Sequence, residues 1–253
     1  MVGAALAGAL LAAQLIHPYL DRSGDNARFL ILAKALLTRG QYCELNFPHC
    51  PAEVITPPGY PLLLAGLMAL AGAASSLQAV VLPARWLNVG LFGLSLLLLY
   101  AVLRRYARPR VALGSVALAA VSPPLLAYAS LEMSEMPYLA ASLAALWLLG
   151  GKGGGPEGQR ASRSEVQREG ETEGQEAARC GVTRLTGLTG RELVGVLALA
   201  AAFYLRSVGA LLALAVAFDW LWAPARRQQA LSQRLRRVAS LGLLLALLCR
   251  PWL

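Results

Sequence analysis

Residues 84–110, "ARWLNVGLFGLSLLLLYAVLRRYARPR", decide the fold. Their first part, 84–103, is an apolar run of the length that crosses a bilayer, for which about 17–25 helical residues are needed. Their last part, 104–110, holds four arginines and no acid. Cations crowd the cytoplasmic ends of spans, so this span runs from outside to inside. The composition agrees with a membrane protein: of 253 residues 57% are hydrophobic and only 15% charged, against about 25% charged in soluble domains. A net charge of +9 suggests nucleic acid at first sight. That reading needs a basic surface interleaved with stacking aromatics, and here the arginines stand between long apolar runs. Length and composition exclude a disordered chain and a disulfide scaffold, and argue against a soluble enzyme.

Working outward, further candidate spans are 1–16, 111–129, 137–149 with its flanks, 193–204, 208–222 and 238–248. The first lacks a basic leader and a small-residue cleavage site before His17, which favours an uncleaved span over a signal peptide. The expected fold is all-α, a polytopic transmembrane bundle of about six to seven spans. A second orientation signal is 223–237, "APARRQQALSQRLRR", with five arginines and no acid. With both arginine-rich segments cytoplasmic, residues 17–83, the turn 130–137 and the turn around Arg206 lie outside. The outer loop is charge-balanced, Arg22, Arg28, Lys34 and Arg39 standing against Asp21, Asp25, Glu44 and Glu53. Within it, 62–71 is too short to cross and reads as an interfacial or re-entrant helix.

Three segments follow: a transmembrane module over 1–149 whose first outer loop (17–83) carries the site, a linker over 150–192, and further spans over 193–253. The linker is rich in Gly, Glu, Gln, Ser and Arg and nearly free of large apolar side chains. It cannot bury enough apolar surface to offset its ordering entropy, so a disordered cytoplasmic linker is expected. No internal repeat is present. Cys43 and Cys50 are seven residues apart in the outer loop, where either a disulfide or two unrelated thiols is admissible. Cys180 and Cys249 stand alone, and His17 and His49 lack ligand partners, so no metal site is expected.

Three outer features bear chemistry. In "DRSGDNARFLILAKALLTRGQY", 21–42, Ser23 or Asp25 can cap a helix of about 14 residues with apolar positions at helical spacing, and Gly40 closes it. This amphipathic helix is expected to rest in the interface plane. It places Asp25 at the bilayer surface, either as a functional carboxylate or as a charge complementing the helix dipole. In the turn "LEMSEMPYL", Glu132 reads as a solvated residue and Glu135 as the deeper acid, one that marks a substrate path or pairs with a cation. Arg206, in "FYLRSVGALLALAV", interrupts an apolar segment and needs a partner: Glu135, Asp25, a lipid phosphate or, by snorkelling, the outer head groups. Two carboxylates and a cation at one lipid–water interface suit group transfer from a lipid phosphate. The acid takes a proton, and the cation stabilises the departing phosphate.

"SGDNARFLILAKALLTRGQY", "ITPPGYPLLLAGLMALAG" and "ARWLNVGLFGLSLLLLYAVLRRYARPR", in this order, resemble the amino-terminal half of the membrane glycosyltransferases of family 39, of the GT-C fold. That family includes the dolichyl-phosphate-mannose protein mannosyltransferases and the aminoarabinose lipid A transferase. The resemblance covers nearly all of the chain outside 150–192, and "SEMPYL" and the Arg206–Gly209 segment extend it. It implies an integral enzyme of the cell inner (plasma) membrane, multi-pass, with its active face extracytoplasmic. Its donor would be a polyprenyl-phosphate sugar and its acceptor a lipid, glycan or protein; membrane lipids are partners and nucleic acid is not. Asp25 would be the general base, with Glu135, Arg206, Lys34 and Tyr60 binding substrate. No cofactor is implied. Relatives often carry Asp-Glu where this chain has Asp25-Asn26, so a divalent metal lacks its second acid. Where the aminoarabinose branch has a Lys, this chain has Thr56. Family members have more spans and a carboxy-terminal outer domain, so the chain is expected to be an amino-terminal portion, truncated at its carboxyl end. Two alternative readings are a flippase or transporter for a lipid-linked substrate, which would also explain Arg206, and an inactive membrane scaffold.

Overall fold

The computed structural model describes residues 1–19, 24–72, 76–150, 188–222 and 231–249. Among them the chain is all-helical: α1 (Val2–Gln14), α2 (Gly24–Arg39), α3 (Gly59–Leu70), α4 (Gln78–Leu103), α5 (Pro109–Ala120), α6 (Pro123–Ala129), α7 (Glu135–Leu149), α8 (Gly190–Leu205), α9 (Gly209–Trp222) and α10 (Leu231–Cys249). The helices break where the sequence forbids continuation. Ser122 is extended before the proline that opens α6, and α5 and α6 meet at 61°. Arg206 is extended between α8 and α9. Gly40, at φ +65°, ends α2 as expected, since a left-handed residue closes a helix most easily when it lacks a Cβ.

These breaks change the span count. By length and composition one helix, Gln78–Leu103, is fit to cross a membrane, or two if the bent pair α5–α6 counts as one span. The other apolar helices among the described residues have 10–17 residues, and at about 1.5 Å per residue they fall short of a hydrocarbon core about 30 Å thick. The central span also begins at Gln78, six residues before the expected start, and takes Pro83 inside it. The carboxyl end of the expected linker is helical: Thr189 and Glu192 form a reciprocal capping box that opens α8, an arrangement that satisfies two orphan amides. The rest of the linker, 151–187, lies outside the described residues.

Packing proceeds through three apolar clusters. In one, Phe29 and Leu30 of α2 meet Tyr60, Leu64 and Met68 of α3 and Val80, Val81 and Ala84 of α4. The apolar face of α2, expected to rest on lipid, is thus covered by protein, because α3 folds back over it. In the second, α1 packs on α4, α5 and the start of α7 through Ala5, Ala12, Phe92, Leu96, Val116 and Met136. In the third, Leu149 of α7, Leu199 of α8, Trp220 of α9 and Leu241 of α10 come together. The α7–α8 contact is close enough that a Cβ on Gly195 would stand 2.6 Å from Leu149. Small residues permit such helix approach where apolar helices gain little from burial alone.

One ion pair ties these clusters together. Arg85 of α4 and Glu132 of the α6–α7 turn are both fully buried, with Nε to Oε1 at 2.6 Å and Nη2 to Oε2 at 3.3 Å. Arg85 also donates to the carbonyl of His17 and, at 3.0 Å, to that of Tyr19. Asn88, one turn on, donates to the carbonyls of Leu131 at 2.6 Å and Met133 at 3.1 Å. Glu132, expected as a solvated residue, is therefore a buried anchor, because the only way to neutralise an arginine inside α4 is to bring a carboxylate to it. Glu132→Leu leaves Arg85 buried without its counter-charge and is expected to destabilise the fold by about 3–5 kcal/mol. The double variant Arg85→Met/Glu132→Leu should recover most of that loss, as read by denaturant titration in detergent.

Candidate functional site

The ends of the helices sort the polar side chains. At one end lie His17, Tyr19, Arg85 and Glu132, together with a second ion pair: Arg206 Nη1 stands 2.5 Å from Glu135 Oε1. Of the partners open to Arg206 in the sequence, the fold selects Glu135, which the first turn of α7 presents toward the break between α8 and α9. The pair is reachable, with Arg206 40% and Glu135 20% exposed in their side chains. Glu135 Oε2 is buried and makes no hydrogen bond among the described residues.

The "PPGY" segment sits beside this pair for a steric reason. A Cβ at Gly59 would lie 2.6 Å from the carbonyl oxygen of Tyr204 and 3.0 Å from the amide nitrogen of Leu205, so only glycine lets α3 reach the residues just before Arg206. The next residue, Tyr60, is fully buried. Its ring meets Phe29 edge-on at 5.1 Å, and its hydroxyl accepts from Asn88 at 3.4 Å. Tyr60 is thus floor, linking α2 to the Arg85–Asn88 layer, and its side chain is closed to a substrate.

Asp25 lies exposed in the first turn of α2. It is inside the helix and so is not the cap; the other candidate, Ser23, lies outside the described residues. No ion pair or hydrogen bond joins Asp25 to Glu135 or Arg206 among the described residues. Lys34 is half-buried on the same helix, nine positions further on. At 3.6 residues per turn that is two and a half turns, on the opposite side and about 13 Å along the axis, so the fold separates Lys34 from Asp25. Among the described residues no group of three or more His, Cys, Asp or Glu gathers to hold a metal ion.

Sequence reasoning missed the network that fixes the outer loop. Cys43 and Cys50 form a disulfide, which resolves the pair of alternatives left open above. The loop it closes is paired at Cys43 and Ala52, with His49 and Cys50 in left-handed conformations. Glu53 then turns inward: its Oε1 accepts from the amides of Ile55 and Thr56, both at 2.7 Å, and its Oε2 from Arg28 at 2.6 Å. Arg28 also meets Glu44 at 2.9 Å. The loop is in this way fastened to α2 one turn from Asp25. The available signal was the charge balance of that loop, within which Arg28 pairs with Glu44 and Glu53.

Burial opposes the charged form of Glu53, but the two amides and the Arg28 guanidinium outweigh it and hold the carboxyl below its ordinary range. A carboxyl so lowered stabilises the fold fully above its unfolded value of about 4.3 and loses that contribution as pH falls through its folded value. The acid limb of the stability profile below about pH 4.3 should therefore flatten in Glu53→Gln, at the cost of lower stability at neutral pH. An unchanged acid limb in thermal melts would contradict this role.

No family model matches the chain, and no curated protein and no solved structure is a match to it.

Proposed function

We propose that the chain is an integral membrane glycosyltransferase, or its amino-terminal portion, that moves a sugar from a polyprenyl-phosphate donor to an acceptor at the outer face. The observation that carries this reading is spatial order. The Asp25 helix packs on the "PPGY" helix through Phe29 and Tyr60; that helix abuts Tyr204 and Leu205 through Gly59; and the next residue, Arg206, holds Glu135. Four segments that are distant in sequence are thus joined by contacts, which supports this reading.

In this reading the six or seven spans comprise the long central helix, the bent pair and the shorter apolar helices packed against them. Large apolar side chains on the outer sides of these helices support a lipid surround: Leu10 is 63% exposed, Leu118 74%, Leu214 66% and Leu243 63%. Asp25 takes the proton of the acceptor hydroxyl as its oxygen attacks the anomeric carbon. The bond from that carbon to the phosphate oxygen breaks, and the phosphate leaves with the electron pair. Arg206, half in solvent, receives the growing charge on the phosphate, and Glu135 positions Arg206 at the border of the acceptor site. Lys34, on the other side of α2, serves the membrane surface in this reading.

The test is turnover in proteoliposomes carrying defined polyprenyl-phosphate sugars. Asp25→Asn should lower transfer by about 10²–10⁴-fold with membrane insertion unchanged. Transfer at the original rate in that variant would falsify the assignment.

A further inference from the structure

The opposite end of the bundle carries a pair of cations, Arg105 and Arg191, that no carboxylate among the described residues answers. Arg105, in the turn after α4, donates to the carbonyl of Gly150 at 3.2 Å, to that of Leu146 at 3.5 Å and to that of Trp147. Arg191, in the first turn of α8, donates to the same Trp147 carbonyl at 2.6 Å. Both guanidiniums also face the Trp147 ring, at 5.8 Å and 5.2 Å from its centroid. The last carbonyls of α7 are natural partners for one cation. Two like charges sharing one carbonyl repel each other, and among the described residues neither makes an ion pair. Burial, together with the charge of Arg191, lowers the pKa of Arg105, which marks an uncompensated positive site.

We propose that Arg105 and Arg191 bind the phosphate of an anionic phospholipid of the cytoplasmic leaflet. A phosphodiester between the two forks would bring one negative charge to both cations and accept from their remaining N–H groups, a geometry that suits guanidinium better than ammonium. Three observations favour a lipid over a free phosphate. Trp147 is part-exposed beside the site, the placement of tryptophans at the level of head groups. The adjoining segment 104–110 is basic and free of acid, and such segments attract anionic leaflets. The site also lies at the end of the bundle opposite Glu135 and Arg206. The inference rests on the membrane placement argued above, and not on sugar transfer.

The experiment uses the full chain in nanodiscs of phosphatidylcholine doped with phosphatidylglycerol, with retained lipid counted by native mass spectrometry. The wild type should hold phosphatidylglycerol about fivefold more tightly than Arg191→Gln, which leaves the Arg105 contacts to α7 in place. Arg105→Lys, which keeps charge but loses the fork, should fall between. Millimolar inorganic phosphate should not displace the lipid. Equal retention in wild type and Arg191→Gln overturns the site, and displacement by phosphate overturns the lipid as its occupant. Release of the chain from membranes by alkaline carbonate overturns the membrane placement itself, an outcome distinct from loss of the site and from loss of transfer.

Discussion

A charged side chain cannot stay inside an apolar bundle without a partner, and Arg85 is the side chain on which this fold turns. Its pair with Glu132 is fully buried at 2.6 Å. Replacing both members with apolar residues need not cost stability, whereas removing one leaves an uncompensated charge. What the pair secures is placement. The carbonyls of His17 and Tyr19 after α1, the body of α4 and the turn before α7 are drawn to one guanidinium. That turn leads directly into Glu135, so the reachable carboxylate of the candidate site stands three residues from a buried anchor. The precision of the outer pair is inherited from the inner one.

The same constraint explains why the two ends of the bundle differ. The outer end spends its few charges on specific partners: Arg85 with Glu132, Arg206 with Glu135, Arg28 with Glu53 and Glu44. At the other end Arg105 and Arg191 lean on helix carbonyls and the Trp147 face. Fixed acid–base pairs hold geometry, which a site of chemistry requires. Cations resting on carbonyls keep an electrostatic demand, one that the anionic leaflet proposed above would meet.

Much of this was legible in the chain itself, for identifiable reasons. Helical character, the close of α2 at Gly40 and the arginine-rich turn after α4 follow from local patterns, and the Arg206–Glu135 pair was among the partners the cost of a lone buried arginine suggested. Glu132 was misread because its neighbours look like a turn, and a turn residue next to a methionine carries no mark of burial; the mark was on Arg85, forty-seven residues earlier, inside the run quoted first. The shortness of the helices was hidden as well. Hydropathy is nearly continuous across Val121–Pro123, and the break comes from proline stereochemistry. The seating of α3 against the end of α8 depends on the bare Cα of Gly59, a tertiary fit that no window of sequence displays.

The central claim is that Glu135 and Arg206 share one face of a membrane with the disulfide-closed loop, and that the arginine-rich turn after α4 occupies the other. The direct measurement is thiol labelling in intact cells with a membrane-impermeant maleimide, on single cysteines placed at two exposed positions, Asn46→Cys in the loop and Arg108→Cys in the turn. The account predicts that position 46 reacts in intact cells and position 108 reacts only after permeabilisation. Equal labelling of both in intact cells, or the reverse order, would contradict it.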